Sequence, residues 1–248
     1  MAQEIVDRLL EELTRRLERA YGRSLRSVIL YGSAAAGEWH PGYSDLNVMA
    51  VLDRVGADEL EKAEKIFEWW REQGNPSPLL MSADEVRRST DCFPIEFHDI
   101  AERRRILYGD DPIAGLVIDD RYYRAQVEHE LRAKLLRLRQ KAGGVLADGR
   151  LLLRLMLDSV STFVVLGRHA LRLSGRQAPW SKRAIVEALR AGFGIPGEAL
   201  DTLLAAREGS KKIRPAEARP LFEKYLSEIS LLADLVDRLE EGGGNTDS

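Results

Sequence analysis

Residues 28–52 read Val-Ile-Leu-Tyr-Gly-Ser-Ala-Ala-Ala-Gly-Glu-Trp-His-Pro-Gly-Tyr-Ser-Asp-Leu-Asn-Val-Met-Ala-Val-Leu. Two apolar runs bracket a segment of small and polar residues. A continuous apolar run of strand length predicts a strand buried on both faces. The first strand is expected from Leu25 to Tyr31, stopped by Gly32, and the second from Asp45 to Leu52. Gly32, Ser33, Ala34, Ala35, Ala36 and Gly37 follow the first strand directly. Such small residues let backbone N–H groups and the Ser33 hydroxyl approach an anion at a helix N-terminus, which suits the phosphates of a nucleotide. On a strand, residues i and i+2 share a face about 6.5 Å apart. Asp45 and Asn47 therefore point the same way while Leu46 and Val48 enter the core. Polar side chains in an apolar strand are costly to bury unless they meet a cation or donors, and hard oxygen ligands of this kind suit Mg²⁺.

Outward from this stretch, Ile5, Leu9, Leu13 and Leu17 fall four apart and predict an amphipathic helix over 2–21, stopped by Gly22. Further elements are expected as a helix at 57–73, a strand at 78–81, a helix at 83–89 and a strand at 95–100. From about Asp119 the pattern is helical, with segments at 119–141, 149–174, 180–191, 197–208 and 215–241. The expected fold is α+β: a mixed sheet with flanking helices over 1–117, followed by an all-α helical bundle over 118–241. Residues 242–248 have the composition of a disordered tail.

Composition narrows the classes. With 248 residues and roughly 150 per domain, one to two domains are expected. Hydrophobic residues make up 44% and charged residues 31%, which places the chain among globular rather than disordered proteins. The net charge of −3 excludes a whole-molecule positive field able to hold duplex nucleic acid or an anionic membrane. Cys92 is the single cysteine, so neither an internal disulfide nor a thiolate metal cage can form. No apolar run approaches the ~18 residues of a membrane span, and no signal-type segment is seen at the N-terminus, so a cytoplasmic protein is expected.

Gly32-Ser33, then Gly37, then Ser44-Asp45-Leu46-Asn47, set between two apolar strands, resembles the signature of the polymerase-beta-like nucleotidyltransferase superfamily. The order of elements and the helical C-terminal half resemble its aminoglycoside-nucleotidyltransferase-like and minimal-nucleotidyltransferase members. The resemblance covers residues 25–110. It implies that Gly32 and Ser33 hold a nucleoside triphosphate, that Asp45 is the first ligand of Mg²⁺ (or Mn²⁺), and that Asn47 stands where the family has a second carboxylate. For the third carboxylate it implies Glu96, flanked by Ile95 and Phe97 on the expected strand, as metal ligand and general base. Asp99 is the weaker choice, on the opposite face near the strand's end.

An amide oxygen can coordinate Mg²⁺ but brings no charge, so weaker metal binding or a single metal is expected at Asn47. Two functions follow. One is an enzyme that moves a nucleoside monophosphate from a nucleoside triphosphate to a hydroxyl of a small-molecule or macromolecular acceptor. The other is a catalytically degraded relative that serves as a nucleotide-binding or interaction module. Acceptor and oligomeric state are not legible from the pattern, and a homo-oligomer stays open.

Other features have plainer readings. His40 belongs to a surface turn and His98 to packing at a strand edge. Arg103-Arg104-Arg105, Lys182-Arg183 and Lys211-Lys212 read as solvated helix faces beside acidic neighbours, with contact to phosphate or a polyanionic acceptor as the alternative. Trp69 and Trp70 cannot both point inward, and packing against the bundle is the default. Arg124 to His129 meets the Arg-x4-6-His pattern of HEPN ribonuclease domains, a match that a chain of this composition produces about once by chance.

Overall fold

The computed structural model describes residues 2–35, 37 and 45–239. Helix α1 (Ala2–Tyr21) leads into β1 (Leu25–Tyr31), β2 (Asn47–Leu52), α2 (Ala57–Glu72), β3 (Leu79–Ser82), α3 (Ala83–Arg88), α4 (Pro94–Glu102) and β4 (Arg104–Gly109). The strands lie in the order β3-β2-β1-β4. Strand β1 is antiparallel to β2 and β4, whereas β2 and β3 are parallel, so the sheet is mixed.

The two apolar runs fall on the two central strands, and their alternation divides two cores. Val28, Leu30, Leu46, Val48, Ala50 and Leu52 face α1 and α2. Ile29, Met49 and Val51 face the other way, against Val86 of α3 and Phe97 and Ile100 of α4. Helices cover both faces, which is why these strands read as continuous apolar runs rather than alternating ones.

One stretch overturns its expectation. Residues 95–100 are helical, inside α4, and the strand comes later, at β4. Pro94 at the first helical position favours a helix start, and Phe93, Phe97 and Ile100 fall four and three apart, a helical spacing. The three-residue alternation of Ile95, Glu96 and Phe97 is too short to outweigh it. The arginine run is likewise no helix face. Arg103 caps α4, and Arg104 and Arg105 open β4, where Arg104 pairs with Asp111 at 2.8 Å and Arg105 with Asp7 at 2.9 Å. Of the two tryptophans, Trp70 is fully buried in the α1–α2 core and Trp69 is half-buried under the Arg16 guanidinium. Their packing is thus within the α/β unit.

The chain forms two compact units, Met1–Asp119 and Asp120–Ser248. The second contains α5 (Tyr123–Gly143), α6 (Gly149–Leu173), α7 (Lys182–Phe193), α8 (Glu198–Arg207) and α9 (Ala218–Arg238) among the described residues. Helix α6 is central and packs against each of the other four. Its last turns carry buried polar groups: His169 Nδ1 lies 2.7 Å from the Tyr123 hydroxyl, and Arg168 stacks on Trp180. Among the described residues no helix is long and apolar enough to cross a membrane.

Glu228 of α9 accepts the N–H groups of Ala199 and Leu200 at 3.0 and 3.1 Å, closing the start of α8. Burial nevertheless pushes its carboxyl above the ordinary value. The folded unit then holds this proton at pH values where the unfolded chain has released it. Its stabilising share is complete below about pH 4.5 and is lost as pH rises. Glu228→Gln is expected to flatten that decline in thermal unfolding scanned from acid to neutral pH; an unchanged slope would assign the decline to other groups.

Candidate functional site

The site begins where β1 ends. Past Tyr31 the chain turns at Gly32, whose φ of +78° lies in the left-handed region that glycine enters without a Cβ penalty. The Gly32 N–H donates to the Arg103 carbonyl at 3.2 Å. This bond ties the turn to the end of α4. Gly32 shapes the turn, and the half-buried Ser33 hydroxyl is the group beside it able to meet an anion. The segment after Ala35 is described only at Gly37, so Ser44, His40 and the expected helix N-terminus lie outside the described residues.

Asn47 opens β2 and pairs with Tyr31 across the ladder. Directly opposed residues on antiparallel strands bring their Cβ atoms to about 5 Å, so the amide and the phenol are neighbours on one face. A Cβ built on Gly32 would stand 3.4 Å from Asn47 Nδ2, which places the amide against the turn. Asp45 precedes the strand instead of starting it, and is exposed. Leu46 and Val48 are buried, as the pattern required.

A residue outside every motif fixes this segment. The side-chain oxygen of buried Asn75 accepts the Leu46 N–H at 3.2 Å, between Asp45 and Asn47. Asn75→Ala would leave that N–H buried with no acceptor, at a cost of about 1–3 kcal/mol. Chemical denaturation is expected to read that loss, whereas Asn75→Asp, which keeps an acceptor, should recover most of it. Equal losses in both variants would remove the hydrogen bond as the cause.

The carboxylates arrive from above the sheet. Glu96 and Asp99 of α4 are three residues apart, on one face of a helix. The expected strand put them on opposite faces; the 3.6-residue period puts them together. Burial first, then the charges of Glu96 and Asp99, push the Tyr31 phenol up to about 12. Both carboxylates therefore bear on the group next to Asn47. His98, between them in sequence, is buried in the packing.

Among the described residues no three His, Cys, Asp or Glu side chains form a group able to hold a metal. Asp45, exposed, and Asn47, half-buried at the first position of β2, are the oxygen-bearing side chains next to the turn whose chemistry suits Mg²⁺. Two of the remaining basic candidates have structural partners. Arg124 pairs with Glu128 at 2.9 Å while His129 is exposed, and Arg183 pairs with Glu208 at 2.7 Å.

A glycine turn between two central antiparallel strands, with a helical unit following, is the fold that the resemblance to nucleotidyltransferases implies, and the chain has it. Among solved structures it is similar to the spectinomycin adenyltransferase AAD(9) from Enterococcus faecialis, determined with ATP and spectinomycin. Identity is 13%, the match covers 93% of this chain and 99% of that one, and the TM-score is 0.63. A toxin–antitoxin structure with AMP-PNP matches at a TM-score of 0.32 and 15% identity, over 50% of this chain and 95% of that one. No protein-family model and no curated protein matches the chain.

Proposed function

We propose that the chain is a nucleotidyltransferase that moves a nucleoside monophosphate from a Mg²⁺-bound nucleoside triphosphate to an acceptor hydroxyl. The observation that carries this reading is the placement of Glu96 and Asp99 by α4 over Tyr31, the cross-strand partner of Asn47. In this reading the negative charge missing at position 47 would be offset from α4, which packs on the sheet face that Tyr31 joins. The fold shared with an adenyltransferase solved with ATP supports it.

Ser33 would hold the triphosphate, and Asp45 and Asn47 would face its metal. Mg²⁺ bound with the nucleotide would neutralise charge on the phosphate oxygens. Glu96 would take the proton of the acceptor hydroxyl as that oxygen attacks the α-phosphorus. The bond from the α-phosphorus to the oxygen bridging to the β-phosphate breaks, and pyrophosphate leaves. Tyr31, with its phenol pushed up to about 12, stays protonated at neutral pH and serves as a hydrogen-bond donor rather than a base.

The amide at position 47, where the resemblance has a second carboxylate, favours a second reading, a nucleotide-binding module without chemistry. One experiment separates the two. Wild type and Asn47→Asp are incubated with each nucleoside triphosphate, Mg²⁺ or Mn²⁺, and a panel of hydroxyl acceptors, and pyrophosphate is followed. Release by wild type, at a lower half-saturating metal concentration in Asn47→Asp, is the expected result. Nucleotide binding without pyrophosphate in either protein would establish the module instead.

A further inference from the structure

Beside β3, helices α3 and α4 leave a cavity of about 320 Å³ within the first unit. That volume is near the lower end of the roughly 300–1,000 Å³ of small-molecule sites. Its apolar walls include Leu79, Met81, Phe93 and Phe97. Two of these are large side chains left in water, Phe93 at 50% exposure and Leu79 at 39%. The polar lining is Glu85, Ser89 and Glu96, with no lysine or arginine among the lining residues.

The acids do different work. Glu85 closes the first turn of α3, its carboxylate accepting the Ser82 N–H at 2.6 Å while its own N–H donates to the Ser82 hydroxyl. These bonds hold its carboxyl below the ordinary value, so the wall carries a fixed negative charge at neutral pH. Glu96 lines the cavity and its charge also reaches Tyr31, the cross-strand partner of Asn47, so the cavity and that face of the sheet share a carboxylate.

We propose that this cavity is the acceptor subsite and takes an amphipathic cation: an apolar or aromatic body against Phe93 and Phe97, an ammonium group at Glu85, and the reacting hydroxyl at Glu96. The inference rests on the reading that Glu96 receives the hydroxyl proton. An anionic acceptor would meet two carboxylates and no compensating base. A polyhydroxylated sugar would lose hydration to walls that return few hydrogen bonds. A cation gains from both the carboxylate and the aromatic faces.

The test uses 2-amino-1-phenylethanol and its neutral counterpart 1-phenylethanol, titrated into the full chain without nucleotide and followed by amide chemical shifts. The amino alcohol is expected to move the amides of Leu80, Met81 and Phe97 and to bind about fivefold tighter than the neutral alcohol. Glu85→Gln, which retains an acceptor for the Ser82 N–H, should remove that preference, and Ser89→Trp should block both probes by filling the cavity. Asp45→Ala should leave probe binding intact. Shifts confined elsewhere, equal affinity for the two probes, or tighter binding of the neutral polyol myo-inositol than of the amino alcohol at these amides would overturn the proposal. Nucleotide binding is scored separately by the thermal shift with nucleoside triphosphate and Mg²⁺. A chain that binds the amino alcohol but no nucleotide keeps the cavity's ligand class and loses the transferase reading. A chain that binds nucleotide but no probe does the reverse.

Discussion

Asp45→Ala is expected to abolish the joint stabilisation of the chain by a nucleoside triphosphate and Mg²⁺. A ligand at a hundred times its dissociation constant stabilises the folded state by about 2.7 kcal/mol. For a chain of this length that is about 5–10 °C in melting temperature. In wild type the shift should need both components, because Mg²⁺ at a site with one protein carboxylate is held mainly through phosphate oxygens. Asp45 is exposed and lies outside the strand, so truncating it removes little packing and should alter the unliganded melting temperature only slightly. The loss would then belong to the ligand. A full joint shift retained in Asp45→Ala would show that Asp45 does not face the metal, and would leave Asn47 and the Ser33 turn as the nucleotide's contacts.

What could be read ahead of the structure followed from burial. Strands β1 and β2 lie between two helical layers, so the central residues of both had to be apolar on both faces, and Asp45 and Asn47 stood out where the second apolar run begins. The helices of the second unit declared themselves through the spacing of residues such as Leu131, Leu135 and Leu138, all buried on α5. Strand β4 did not, because it is an edge strand with residues only partly buried, and its arginines look the same on a strand as on a solvated helix. Misreading β4 displaced α4, and with it the geometry of Glu96 and Asp99. Asn75 was beyond reach for another reason: its partner, the Leu46 N–H, is 29 residues away, and a lone asparagine between Gly74 and Pro76 reads as a turn. Tyr31 was visible only as the end of an apolar strand. Its neighbours at the site come from β2 and α4, and no local pattern joins them.

Glu96→Gln is expected to lower the transfer rate by about 10²–10⁴-fold, the range in which a positioned proton acceptor contributes. The substitution keeps shape and hydrogen-bonding capacity, and Glu96 is exposed on α4, so the fold should be unaffected. Nucleotide with Mg²⁺ should still raise the melting temperature, because the proton is taken from the acceptor and not from the nucleotide. The decisive readout is the pH profile. A carboxylate base makes the wild-type rate rise as it loses its proton and then level off, and the glutamine variant should lose that rise along with the rate. Asp99→Asn is the control on the same helix face. It removes an equal charge near Tyr31 without removing the proposed base, so it should cost far less and keep the rise. If Asp99→Asn instead costs the larger factor and flattens the profile, the proton goes to Asp99, and the acceptor hydroxyl is held one helical turn nearer the Gly32–Arg103 end of α4. If neither substitution changes the profile, the helix carboxylates act through charge alone, and the transferase reading must find its base elsewhere.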